Sequence, residues 1–214
     1  YKVEEEGNKF RFLMSTAKIE GFNQFFDSSI EYVYCSAYEA GVDRTNNKLV
    51  SIVNESTQYR GGYNQSGWDG TYRTLLNRPA TAISRASFRN LARNRNTNTK
   101  CWNEYHYLMH VMISWLFYVE YATLNSQDNY NSAFDINGYR QGGLGPGISY
   151  MPNWNTYNDY NPFIPNGYTD SLGNSTGVIN YDCKDTSGGT YWTGPVPRYR
   201  GIQNPFGHIL KLCD

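Results

Sequence analysis

Between Glu104 and Glu120 the chain carries no Asp, Glu, Lys or Arg, and the run Tyr105 to Val119 is apolar almost throughout. Nothing else constrains the fold as tightly. At helical spacing, Tyr105, Met109, Met112, Leu116 and Val119 form one apolar stripe, and Leu108, Val111, Trp115 and Tyr118 form another. A helix apolar nearly all round is a buried one. The pattern therefore predicts a central packing helix over residues 102–124, with Trp115, Leu116 and Val119 in the core. The run is short for a bilayer crossing and bounded by two carboxylates, so no membrane span is expected.

A second helix is expected over residues 84–96. Ser84 is a good N-cap, and Arg85 to Arg95 places Phe88, Leu91 and Ala92 opposite the arginines. Residues 8–20 and 30–40 alternate like strands: Phe10, Phe12 and Met14 share a face, while Tyr32, Tyr34 and Ser36 oppose Val33, Cys35 and Ala37. Leu49 to Val53 is a shorter strand candidate, and Glu55 to Gly70 reads as loop. From Asn125 to Tyr199, Gly and Pro punctuate the chain every few residues, leaving no convincing helix and few strand runs. The expected class is α+β, two helices on a small, mainly antiparallel sheet.

At 214 residues the chain suits one domain, with residues 1–29 as an N-terminal strand or connection and 30–214 as the domain proper. Aromatics reach 16%, with 20 Tyr, whereas disordered chains are aromatic-poor. Formal net charge is zero. The cluster Arg85, Arg89, Arg93, Arg95 and Lys100 reads as a solvated helix face, so no nucleic-acid partner is expected. Cys35, Cys101, Cys183 and Cys213 form no C-x-x-C pair, and their separation permits two long-range disulfides without implying any. The glycosylation pattern at Asn54, Asn64 and Asn174 is at chance frequency in a chain this rich in Asn, Ser and Thr.

Three groups of residues invite a functional reading. His106 and His110 have the four-residue spacing that lets two imidazoles share a metal, but Tyr107 stands where a zinc protease needs Glu, so they read as structural. Glu120 in an apolar helix is either a general acid with raised pKa or, the reading favoured here, a structural partner of Arg89, Arg140 or a buried amide. Exposed aromatics at Tyr150, Trp154, Tyr157, Tyr160 and Phe163, with the amides of Asn155 and Asn158, form a candidate contact surface. Rings stack on the apolar faces of sugars while amides bond the hydroxyls. The same rings could instead staple a long loop to the domain, and the sequence leaves both open.

Four runs carry a family resemblance. They are Ser66-Gly67-Trp68-Asp69-Gly70-Thr71-Tyr72-Arg73, Val119-Glu120-Tyr121-Ala122-Thr123-Leu124-Asn125-Ser126-Gln127, Gly138-Tyr139-Arg140-Gln141-Gly142-Gly143-Leu144-Gly145 and Tyr199-Arg200-Gly201-Ile202-Gln203-Asn204-Pro205-Phe206-Gly207-His208. In this order they resemble virion proteins of crAss-like gut bacteriophages, over roughly residues 30–214. Phe117-Tyr118-Val119-Glu120-Tyr121-Ala122 and Asn204-Pro205-Phe206-Gly207-His208-Ile209-Leu210-Lys211 are also similar to two signatures of the formylglycine-generating-enzyme (sulfatase-modifying-factor) branch of the C-type-lectin fold. The resemblance implies a C-type-lectin-like domain, which holds long ordered loops on a small sheet. It implies a phage structural protein in a tail, fibre or capsid appendage on the virion surface. Such a protein binds a host-surface glycan or receptor, or neighbouring virion subunits, as a homotrimer and without catalytic residues.

No cofactor is expected. Calcium is the one considered, because C-type-lectin relatives sometimes bind it and Asn153, Asn155, Asn158, Asp159, Asn161, Asp170 and Asn174 could supply oxygen ligands. A virion assembled in a reducing cytosol implies free thiols. The rival readings are a copper-dependent oxidase of the formylglycine-generating type and a purely architectural subunit. Against the oxidase, His208 stands for Asn, Leu210 and Leu212 stand for both Trp residues, and Cys213 has no partner cysteine after it. The chain reads as a piece of a longer polypeptide, with flanks missing at both ends.

Overall fold

The computed structural model describes residues 1–27, 29–62, 69–70, 74–126, 163–184, 187–208 and 211–214, apart from the side chains of 191 and 192. The fold is α+β, with two helices and small antiparallel sheets. Strands β1 (Lys2–Glu6) and β2 (Lys9–Leu13) form a hairpin through Gly7, whose φ of 65° suits a residue without a Cβ. Its register sets Val3 opposite Phe12. The Phe12 ring meets Trp115 edge-on at 5.1 Å and Tyr118 at 5.8 Å, while Tyr1 packs on Trp115 at 4.6 Å and stacks on Phe25 at 4.3 Å. The rings of Tyr1, Phe12 and Phe25 thus cover one side of the apolar helix.

Strands β3 (Gly41–Asp43) and β4 (Lys48–Val50) form a second hairpin. Asp43 builds its turn by accepting the Thr45 and Asn46 N–H groups at 3.1 and 2.9 Å, and Asn47 takes the left-handed conformation. Helix α1 (Arg85–Arg93) packs on β4. Ser84 caps it, its Oγ accepting the Ser87 N–H at 3.2 Å, and Ala92 is buried. Asn94 and Arg95 then donate to the Asn47 and Leu49 carbonyls, both at 2.9 Å.

Helix α2 (Tyr107–Tyr121) starts later than its apolar run. The main chain of residues 105–107 is engaged elsewhere: Tyr105 O accepts the Asp214 N–H at 3.0 Å, and the Tyr107 N–H donates to Asp214 O at 2.9 Å. The buried stripe is Met109, Ile113 and Phe117, joined by Tyr199, with Trp115 buried against the N-terminal rings. Leu116 is half-buried and Val119 is 43% exposed, contrary to expectation for both. Val119, Tyr121, Tyr107 and Leu108 of the same helix stay exposed.

Strands β5 (Gly177–Lys184), β6 (Thr190–Tyr199) and β7 (Ile202–Gln203) make the third sheet, in that order. The first two run through a stretch expected to hold few strands. Pro195 and Pro197 mask β6 in the sequence, yet the fold accommodates both. The Pro197 carbonyl accepts the Asn204 N–H at 2.9 Å, on the β7 side. In a strand the N and O of one residue point the same way, so both prolines lack a donor only on the side away from β5. β6 and β7 join through Arg200 (φ 49°) and Gly201 (φ 83°), a two-residue turn with both central residues left-handed. Residues 30–40 alternate as a strand should but pair with no strand, and Tyr34 is 90% exposed.

Candidate functional site

The run Tyr199 to His208 begins at the β6–β7 turn and ends between Ile164 and Glu39. Tyr199 lies against Phe117, edge to face at 5.7 Å, and Phe206 meets Phe117 at 5.0 Å. The Tyr199 hydroxyl donates to Glu120 Oε2 at 2.8 Å, and Arg200 Nε donates to the same oxygen at 2.9 Å. Two resembling runs, nearly eighty positions apart, therefore meet at one carboxylate. Burial works to raise the Glu120 pKa, but the Tyr199 and Arg200 hydrogen bonds outweigh it and hold the carboxyl below its usual range. This replaces the raised-pKa general-acid reading and supplies the partner. Arg89, one expected partner, is bound to Asp214 instead, and Arg140 lies outside the described residues.

Beyond the turn the run enters a polar clamp. Gln203 donates its main-chain N–H to Ala37 O at 2.9 Å and its side-chain amide to Pro165 O at 2.9 Å. Its Oε1 accepts both the N–H and the hydroxyl of Thr169, at 3.1 and 3.2 Å. Arg198, on β6, donates to Gly173 O at 2.6 Å, Thr169 Oγ1 at 3.2 Å and Asp170 Oδ1 at 2.9 Å. The Tyr38 hydroxyl reaches the same Asp170 carboxylate at 2.7 to 2.8 Å.

The innermost part is a hydrogen-bonded triad. His208 Nε2 accepts the Ile164 N–H at 3.0 Å, which leaves the ring proton on Nδ1, where it is donated to Glu39 Oε2 at 2.6 Å. Lys211 Nζ donates to Glu39 Oε1 at 2.9 Å and to the carbonyls of Asn204 and Gly207 at 2.8 and 2.6 Å. Glu39 and His208 side chains are each only 6% exposed. Burial pushes the Glu39 pKa up, yet His208 and Lys211 pull harder, and the carboxyl sits below its ordinary range. Both imidazole nitrogens are occupied by the chain itself. The geometry is that of a tie between segments, with no lone pair left for substrate.

The other sequence candidates scatter. Tyr150, Trp154, Asn155, Tyr157, Asn158 and Tyr160 lie outside the described residues. Phe163, expected on the contact surface, is corrected: it is 2% exposed, and its ring meets His208 edge-on at 6.3 Å. It belongs to the core next to the triad, where a ring excludes water from the His208–Glu39 bond. Of the calcium candidates, Asn153, Asn155, Asn158, Asp159 and Asn161 are outside the described residues, and Asp170 is committed to Arg198 and Tyr38. Among the described residues no three His, Cys, Asp or Glu side chains gather as metal ligands.

His106 turns out to cap α2, its Nδ1 accepting the Leu108 N–H at 3.2 Å. Burial, and then the Lys211 charge, lowers the His110 pKa. No disulfide joins the cysteines. Burial raises the Cys35 thiol to about 11, and burial with the Glu104 charge raises Cys213, so neither is activated as a thiolate.

Glu39, Thr169 and Arg198 carried no signal of their own in the sequence. Lys211 closes the resembling run Asn204 to Lys211, and only nearness to the run 199–208 could have flagged Arg198. No family model, curated protein or solved structure matches this chain.

Proposed function

We propose that the protein is a structural component of a bacteriophage virion, of the kind found in crAss-like gut phages, built on a C-type-lectin-like domain. It acts by stoichiometric binding, as a homo-oligomeric appendage subunit at the particle surface, to a host-surface glycan or a neighbouring subunit. One observation carries this reading beyond the resembling runs themselves. Two of those runs close on each other through Glu120 and Tyr199, and the second continues into the Glu39–His208–Lys211 tie. Residues that mark the resemblance are thus spent on holding chain segments together, which suits a scaffold presenting loops better than a reaction centre.

Binding falls to the aromatic stretch around Tyr150, Trp154, Tyr157 and Tyr160, with Asn155 and Asn158, and without the buried Phe163. Each ring stacked on a partner contributes about 0.5–1.5 kcal/mol beyond its buried area. Trp154→Ala should therefore weaken attachment to host cells or to purified virions about threefold to tenfold, with an unchanged melting temperature. A melting temperature that collapses would identify the ring as a loop staple. Unchanged binding and stability would place the contact surface elsewhere.

A further inference from the structure

In a chain of zero formal charge, the stretch from Gly70 to Asn103 contains seven basic residues and no acidic one. Three of them, Arg85, Arg89 and Arg93, recur every fourth residue and form one row along α1. Only the middle one is neutralised. Arg89 grips the Asp214 carboxylate with two nitrogens, Nε at 2.6 Å. Arg85 and Arg93 are exposed, and among the described residues neither has an ion-pair partner. Glu104 is only 5% exposed, and neither of its carboxyl oxygens bonds to Arg85 or Arg93.

The way Asp214 sits there shows what the row accepts. Its main chain pairs with residues 105 and 107 as an extended segment would, and its side chain drops onto the central arginine. Arg85 and Arg93 flank it, about 12 Å apart at 1.5 Å per helical residue. In an extended polypeptide, side chains four residues apart share a face and lie about 13 Å apart. The spacing matches an incoming strand.

Nucleic acid fits less well. A single-stranded binder sets open aromatic rings beside its cations, but the guanidinium of Arg95 already covers the Trp102 ring at 4.2 Å. Arg95 also donates to the Leu49 carbonyl at 2.9 Å and is committed to its own chain.

We propose that the Arg85–Arg89–Arg93 row of α1 is a docking surface for an extended, acidic segment of another protein chain. Its carboxylates engage Arg85 and Arg93 on either side of Asp214. The inference stands independently of the virion reading, since it uses only the row and its neighbours.

Fluorescence anisotropy with a labelled Glu-Ser peptide carrying Glu at every fourth position and Ser between tests it, alongside the Lys-Ser peptide of the same spacing and an oligothymidylate with as many charges. The Glu-Ser peptide should bind at low ionic strength and weaken as salt is added. The double variant Arg85→Ala, Arg93→Ala should bind it about tenfold more weakly at an unchanged melting temperature. If alanine lowers the melting temperature, Arg85→Gln with Arg93→Gln repeats the comparison. The proposal fails if the Glu-Ser peptide does not bind, or if both double variants bind it as well as the parent. It also fails if the oligothymidylate binds more tightly and loses more, which would make the row a nucleic-acid surface.

Discussion

Two charged regions of this molecule handle buried carboxyls in opposite ways. Beside His208, Glu39 has a cation on one oxygen and an imidazole N–H on the other, and Lys211 is further tied to two main-chain carbonyls. Beside α1, Glu104 is also buried, but no cation or N–H is bonded to its oxygens and it faces the carboxylate of Asp214. The first region closes on itself. The second holds more arginines than carboxylates and turns the surplus outward. Inside a protein a satisfied polar network fixes one arrangement, whereas an unsatisfied group costs free energy until something else meets it. The clamp therefore reads as architecture, and the α1 junction as a surface with unfinished business.

The largest test of this contrast is Glu39→Gln. Breaking a buried ion pair costs about 3–5 kcal/mol. The low end, about 3 kcal/mol, is expected because Lys211 keeps the Asn204 and Gly207 carbonyls. Glu104→Gln should instead be neutral or stabilising at neutral pH, since burial and the Asp214 carboxylate both disfavour the charge it removes. Urea unfolding of both variants decides the matter. Equal losses would erase the distinction between the regions.

The pH dependence sharpens the same contrast. Glu39 is held below its ordinary value of 4.5, so its contribution is full above that pH and is lost as pH falls below it. Glu104 is raised above 4.5, first by burial and then by Asp214, with Arg89 and Arg85 opposing. Its folded form binds the proton more tightly, so its effect on stability declines as pH rises from 4.5 through the raised value. Glu39→Gln should flatten the acid limb of the stability profile, and Glu104→Gln the limb just above 4.5. A profile that either variant leaves unchanged would assign that limb to other groups.

The two regions were unequally legible in sequence. Helix α1 and its Ser84 cap followed directly from side-chain pattern, because local hydrogen bonding and helical spacing decide them. Helix α2 was legible as an element, but which of its faces are covered was not. That depends on Tyr1, Phe12 and Tyr199 arriving from distant positions. Strand β6 was hidden by Pro195 and Pro197, since a proline speaks against a strand unless the side it faces is known. Residues 30–40 failed in the opposite sense: alternation gave strand character, and no neighbouring strand came to pair with it. The clamp itself was unreadable because Asp170 meets Tyr38 and Arg198, and Glu39 meets His208 and Lys211, only through tertiary contact. Phe163 looked like a loop ring and is part of that clamp's dry wall.

The smallest expected effect is that of Arg93→Ala on stability. Arg93 is exposed, carries no ion-pair partner among the described residues, and shares the field of Asp214 with Arg85 and Arg89. Removing it gives up some attraction to Asp214 and relieves repulsion within the row. The two terms oppose each other across a solvent-screened distance, so the net change should stay within about 0.5 kcal/mol. Alanine is also the better helix former, which favours the variant by a few tenths at most. Arg89→Ala must behave differently, because it releases a bidentate grip and leaves the Asp214 carboxylate without its main partner. Thermal unfolding of the two variants side by side measures the difference. An Arg93→Ala loss as large as that of Arg89→Ala would mean that the whole row is structural, with no surplus charge available to a partner.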